Sequence, residues 1–288
     1  MRSLAFLAPL ALACCAHPPH AAPPGDEQPP APTPQHQTWD ETRWPAQTPA
    51  APGQAQTDAP GGGRPLIGGA TLHEITVPHN GRAVDLQCVL FDDRHYHLRI
   101  IDQPEDWSGG GQITASMRGV NAAAGVNGGF FTPQFAPLGL MIANGRKTGA
   151  WQQNKLLTGA IIVDSQPRLL WNAETGRDSA RELLQAGPRL VDSGRAVASL
   201  ERARHTTRTF IATDAGRRWI IGLAHGVSLG ELAEILASPE FLPGFRVHRA
   251  LNLDGGRSSA IYYRAADGHE HADPGWSTVR NYLAIVPR

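Results

Sequence analysis

Thirteen of the chain's 24 prolines fall between Pro18 and Pro65, and that crowding decides where the chain can fold. Proline has no amide hydrogen to give a helix interior or a central strand. The residues around these prolines are mostly Ala, Gln and Thr, with few large aliphatics. Such a stretch cannot bury enough apolar surface to offset the entropy lost on ordering it. Residues 15–65 are therefore expected to be an extended, disordered spacer. Trp39 and Trp44 are its only large aromatics and are expected to be solvated.

Ahead of the spacer, residues 1–13 carry one cation, Arg2, and an apolar run from Leu4 to Leu12. That is the layout of an export signal. It ends in Ala11-Leu12-Ala13-Cys14. The small residues Ala11 and Ala13 suit a signal peptidase, while the same four residues resemble a bacterial lipobox with Cys14 as the lipidated residue. The expectation is an exported protein, either a periplasmic or outer-membrane-tethered lipoprotein or a secreted one. Membrane contact is then expected only through an N-terminal lipid.

The remaining length, residues 66–288, suffices for one domain with a proper core. Across the chain 26 Lys and Arg balance 26 Asp and Glu, so there is no general attraction to nucleic acid or to an anionic surface. Three cysteines cannot make a disulfide framework, and Cys88 sits in an apolar run as an expected buried, inert thiol. No later apolar run approaches the roughly 18 residues that span a bilayer.

From Leu66 onward, short apolar runs alternate with Gly, Asn and Asp turns. This pattern predicts a strand-rich α+β domain with mixed or antiparallel sheets and a few helices. Strands are expected at 72–77, 83–91, 95–101, 159–164, 168–171, 207–214, 217–224, 251–253, 259–263 and 282–286. Helices are expected at 113–123, 179–185 and 228–237.

Two turns share one grammar. Asn127-Gly128-Gly129 and Asp254-Gly255-Gly256 each set a short polar side chain beside two residues without Cβ. Glycine lets a ligand approach the backbone, and successive N–H groups can cradle an anion. Asn127 and Asp254 would add an amide and a carboxylate at the same mouth. Asn-Gly and Asp-Gly are also favoured hairpin turns, so either turn alone reads first as structure.

A wider pattern surrounds them. Residues 125–131 (GVNGGFF), 137–145 (PLGLMIANG), 185–191 (QAGPRLV), 207–209 (TRT) and 251–259 (LNLDGGRSS) follow one another in that order. Together they resemble the phosphodiester glycosidase family, to which the N-acetylglucosamine-releasing uncovering enzyme belongs. The resemblance covers the chain from about Leu66 to its end. The family commonly has an acidic residue before Gly in the strand leading to the last helix; here that pair is His225-Gly226, followed by a short loop, as in the small bacterial branch.

The resemblance implies hydrolysis of the C1–O bond of a sugar-1-phosphodiester, with a sugar-phosphate or glycan as the substrate; no cofactor is expected and no metal ligands are assigned. The leaving phosphate monoester has a second pKa of about 6 and departs without full protonation. The site must then supply positive charge and N–H donors at the phosphate, and an activated water or nucleophile at C1. Arg208 is the family-matched cation, Asp254 the carboxylate for C1, and Asn127 the amide that orients sugar or phosphate. Gly128, Gly129, Asn252, Gly255, Gly256, Arg257, Ser258 and Ser259 are the further candidates for binding the substrate.

Three rivals stand beside this reading. Gly226-Val227-Ser228-Leu229-Gly230 fits the G-x-S-x-G elbow of a serine hydrolase, with His269 or His271 downstream. Ser228-Leu229-Gly230-Glu231 is also a helix capping box, which explains the same residues without catalysis and is the preferred reading. His95 and His97 along one strand, and His269 and His271 near Asp267 and Asp273, are weak metal candidates without visible convergence. Finally, the same turns would serve a non-catalytic envelope protein that binds glycans.

Overall fold

A computed structural model of the chain describes residues 62–103, 113–174 and 180–288. Cys14 and the expected export signal and spacer, up to residue 61, lie outside the described residues. Arg64 and Pro65 already pair with Leu72 and Thr71, just ahead of Leu66.

The described residues form three antiparallel sheets. The largest has eight strands, in spatial order Arg64–Pro65, Thr71–His79, Arg82–Asp92, Arg218–Val227, Thr206–Thr213, Arg249–Asn252, Arg189–Asp192 and Arg195–Ala196. Five strands, Glu270–Asp273, Ile261–Arg264, Ala124–Asn127, Asn281–Pro287 and Tyr96–Asp102, make a second sheet. A third, also five-stranded, is ordered Arg146–Thr148, Met141–Ala143, Glu182–Ala186, Gly159–Val163 and Pro167–Trp171. Every pair among them is antiparallel, so the mixed-sheet alternative falls away.

Local chemistry explains the first hairpin. Asn80 and Gly81 both take positive φ, 48° and 73°, which gives the tight turn whose twist matches the flanking strands. The centre of the large sheet is buried on both faces. Along Thr206–Thr213, Phe210 and Ala212 face one core, while Ile211 faces the other. The first core joins Val89, Ile211, Ile221 and Leu251 to Val126 and Leu283 of the second sheet and Ile161 of the third. The second joins Leu86, Phe210 and Ile220 to Leu232 and Leu236. Each such aliphatic, fully buried, contributes about 1.5–3 kcal/mol of transfer free energy. Cys88 is buried in this second core, and its burial pushes the thiol pKa up.

Among the described residues two α-helices occur, α1 (Ile113–Gly119) and α2 (Leu229–Ala237). The domain is thus mostly β, and an α+β description fits it only loosely. The helix expected at 113–123 stops at Gly119; Asn121 turns into the left-handed region and the next strand starts at Ala124. The helix expected at 179–185 is a strand, Glu182–Ala186. All five of its residues are buried, so it shows no period-two alternation and its leucines imitate a helix face.

Candidate active site

The two Gly-Gly turns meet. Asn127 ends its strand in the second sheet, and Asp254 follows the strand Arg249–Asn252 of the large sheet. Asp254 N donates to Gly128 O at 3.0 Å, and Asn127 Nδ2 donates to Asp254 O at 2.7 Å. Asn127 Oδ1 accepts from Thr209 Oγ1 at 2.7 Å and from Ala260 N at 3.0 Å. The Asn127 side chain is fully buried, and these bonds make it a clasp between two sheets.

Asn281 completes the clasp. Its backbone oxygen accepts from Gly128 N at 2.9 Å and its Oδ1 from Gly129 N at 2.7 Å. A Cβ on Gly128 would fall on Asn281 Oδ1, so close backbone packing is what requires glycine there. The second turn uses glycine differently: Gly256 has φ of 66°, the left-handed region that side chains resist. One grammar therefore covers two different physical needs.

The Asp254 carboxyl sits half-buried at this junction. Gly255 N donates to its Oδ1 at 2.9 Å. Burial raises its pKa above the usual carboxylate range, against hydrogen bonds from the Ser258 hydroxyl and Gly255 N–H and the charge of Arg204. Ser258 and Ser259 are both buried; Ser258 Oγ lies 3.4 Å from Ser277 Oγ, and Ser259 Oγ donates to Thr207 O at 3.3 Å. Asn252 is buried too and donates through Nδ2 to Gly187 O at 2.8 Å. Arg257 points into solvent.

Arg208 is close to Gly255: a Cβ there would lie 3.7 Å from both Arg208 Cα and Arg208 Cδ. Its guanidinium, however, has partners in the protein. Nε donates to Val227 O at 3.2 Å, and one terminal nitrogen reaches Arg204 O at 2.7 Å and Glu201 at 3.4 Å. Burial lowers its pKa, partly offset by Glu201. Arg204, which the motif reading passed over, is exposed, and its charge acts on Asp254. One of its terminal nitrogens lies 4.0 Å from where a Gly256 Cβ would be. His225, the residue that departs from the family pattern, has Nδ1 3.4 Å from Thr207 Oγ1 beside the same turn.

The serine-hydrolase reading is corrected here. Ser228 is fully buried as the N-cap of α2, and Glu231 N donates to its Oγ at 3.3 Å. Ser228 N and Oγ donate back to Glu231 Oε2 at 2.9 and 3.0 Å. The hydroxyl is engaged within the helix cap, and the capping box accounts for the motif. His95 and His97 are exposed, His269 is an exposed partner of Asp267, and His271 stacks on Tyr263 with ring centroids 5.0 Å apart.

The phosphodiester glycosidase family matches residues 120–286, a span that contains both turns and Arg208. The chain belongs to this family. Solved structures share the fold at low identity. The catalytic domain of zebrafish N-acetylglucosamine-1-phosphodiester alpha-N-acetylglucosaminidase, auto-inhibited by its pro-peptide, superposes with a TM-score of 0.54 at 14% identity, over 76% of this chain and 83% of that one. A hypothetical protein from Synechocystis gives 0.53 at 18% identity, over 76% of this chain and 62% of that one. This chain therefore spans less than two thirds of the Synechocystis protein. No curated protein matches the chain.

The family motifs located both turns, but not Thr209 as a partner of Asn127, nor Asn281 or Arg204. Asn281 precedes an apolar run and reads as a strand start. Only the fold brings its amide beneath Gly128 and Gly129.

Proposed function

We propose that this protein is an exported hydrolase that cuts the C1–O bond of a sugar-1-phosphodiester in envelope or extracellular glycans. The observation that supports this most directly is the Asp254 carboxyl, held at the meeting of the two family turns with Arg204 beside it. In this reading the phosphate sits toward Arg204 and Arg257, whose guanidinium groups bind its oxygens as charge develops on them. Asp254 serves the C1 side. Its carboxylate takes the proton of the attacking water as the sugar carbon gains positive charge, the C1–O bond breaks, and the phosphate monoester leaves with the bonding electrons. Asn127 acts as a positioning residue through the Asp254 backbone, and Arg208 by holding the turn that carries Arg204.

The test is release of free sugar by the full chain from a panel of sugar-1-phosphodiesters, beside Asp254→Asn. Loss of about 10²–10⁴ in turnover by the variant, with the fold intact, is expected for a positioned acid–base group. Equal turnover by the variant removes Asp254 from the mechanism. Binding of the same diesters without release by the wild type would instead favour a glycan-binding protein.

A further inference from the structure

Trp276 is the most exposed large apolar side chain among the described residues, at 69%; Leu156, at 40%, is the only other one. A single exposed apolar residue is ordinary on a protein surface. This one differs in what holds it. Trp276 N and Ser277 N both donate to Arg257 O, at 2.8 and 3.1 Å. Gly275 lies so close to the serine turn that a Cβ would meet Ser259 O at 2.6 Å. Its φ of 71° turns the chain there, and Ser277 Oγ lies 3.4 Å from Ser258 Oγ. The loop is thus fastened, backbone to backbone, onto the turn that carries Asp254, while its largest side chain stays in water.

Fastening the backbone removes most of the ordering cost that a mobile loop would bring to binding. The exposed indole leaves on the order of 100 Å² of aromatic surface uncovered. Arg257 lies on that turn, and a terminal nitrogen of Arg204, from a neighbouring segment, lies 4.0 Å from where a Gly256 Cβ would be, so positive charge stands at the turn to which the tryptophan loop is fastened. A ligand matching both needs an anionic group joined to a ring with an apolar face. Pyranose rings have such a face, formed by their axial C–H bonds.

From this we infer that Trp276 is a substrate-positioning residue: its indole stacks against a pyranose ring of the ligand whose phosphate lies toward Arg204 and Arg257. The inference rests on the proposed sugar-phosphodiester reading and adds to it the plate that selects for a ring. It makes Trp276 a determinant of ring recognition, separate from bond cleavage at Asp254.

The experiment compares full-length Asp254→Asn with Asp254→Asn carrying Trp276→Ala or Trp276→Phe, so that turnover does not deplete the ligand. The probes are methyl phosphodiesters of glucose 1-phosphate, galactose 1-phosphate and N-acetylglucosamine 1-phosphate, with dimethyl phosphate as the ringless control. Affinities come from calorimetric titration and ring contacts from saturation-transfer NMR. The expected result is at least tenfold weaker binding of a ring-bearing probe by Trp276→Ala, near-full retention by Trp276→Phe, and no change for dimethyl phosphate. Equal affinity with and without the indole overturns the inference. So does an equal loss for dimethyl phosphate, which would mean that the loop itself has shifted, and so does a parent that binds none of the probes. Sugar release by the wild-type chain is scored separately. Ring-dependent binding through Trp276 without release would retain this inference and remove the hydrolase reading.

Discussion

Asn127 Nδ2 donates to the backbone oxygen of Asp254 at 2.7 Å, across 127 residues of sequence and between two sheets. Because Asp254 N donates in turn to Gly128 O at 3.0 Å, both peptide edges of Asp254 are set by the other turn. The carboxyl of Asp254 is therefore aimed by a residue that never has to touch a substrate. In the proposed reading this relationship separates the polar residues of the two turns into one reacting group and its supports.

Replacing the clasp should cost stability first. Asn127→Ala leaves Thr209 Oγ1, Ala260 N and Asp254 O without their present partner in a buried place. The expected loss is about 3 kcal/mol, read by denaturant unfolding. Gly128→Ala should be at least as damaging, because its Cβ collides with Asn281 Oδ1. Unchanged stability in both would show that the turns do not depend on each other.

Asp254 should destabilise the fold when ionised. Its pKa is raised by burial, so in the window above the ordinary aspartate pKa the folded state binds more protons than the unfolded chain. Stability contributed by the protonated form is then lost as pH rises through the folded-state value. Asp254→Asn should melt at the same or a higher temperature than wild type at pH 7, with the difference shrinking toward pH 3. Catalysis has the opposite sign: turnover should rise as pH passes the raised carboxyl pKa. A wild type that outlasts Asp254→Asn at neutral pH would contradict this account.

The two arginines should part company in kinetics. Arg208 is tied to Val227 O, Arg204 O and Glu201, so Arg208→Ala should lower the melting temperature. The expected cost is about 2 kcal/mol from lost charged hydrogen bonds. Arg204 is exposed, and Arg204→Ala should leave the melting temperature within about 0.5 kcal/mol of wild type. It should still raise KM for a phosphodiester roughly tenfold through a lost charged hydrogen bond. Steady-state kinetics with thermal melts on the same preparations distinguish the two; the reverse pattern would restore Arg208 as the phosphate ligand.

Ser228 should matter for folding alone. Ser228→Ala removes a helix cap and should cost about 1 kcal/mol, with turnover retained and no labelling of wild-type Ser228 by a fluorophosphonate. Glu231 is held at a pKa of about 2 by the Ser228 N–H, Arg82 and the Ser228 hydroxyl, against the opposing effect of its burial. That contribution is fully present above the ordinary glutamate range and fades as pH falls through about 2. A Ser228→Ala variant that folds normally but is inactive would return the serine to the chemistry.

Much of this molecule was legible in the residues themselves. The hairpins at 72–91 and 207–224 announce themselves through alternating apolar residues and turn residues. Ser228-Leu229-Gly230-Glu231 spells its cap, because capping is a contact within one helical turn. The ordered motifs around both Gly-Gly turns carried the family. Glu182–Ala186 was not legible as a strand, since burial on both faces erases the alternation on which such a reading depends. Nor could the sequence divide labour within the site. Asn127 and Asp254 look alike beside their glycines, and Arg208 looks more functional than Arg204. Tertiary structure separates their surroundings, because burial and the partners within about 3 Å of each side chain are set by strands distant in sequence. Those partners determine whether a polar group has hydrogen bonds left for a substrate.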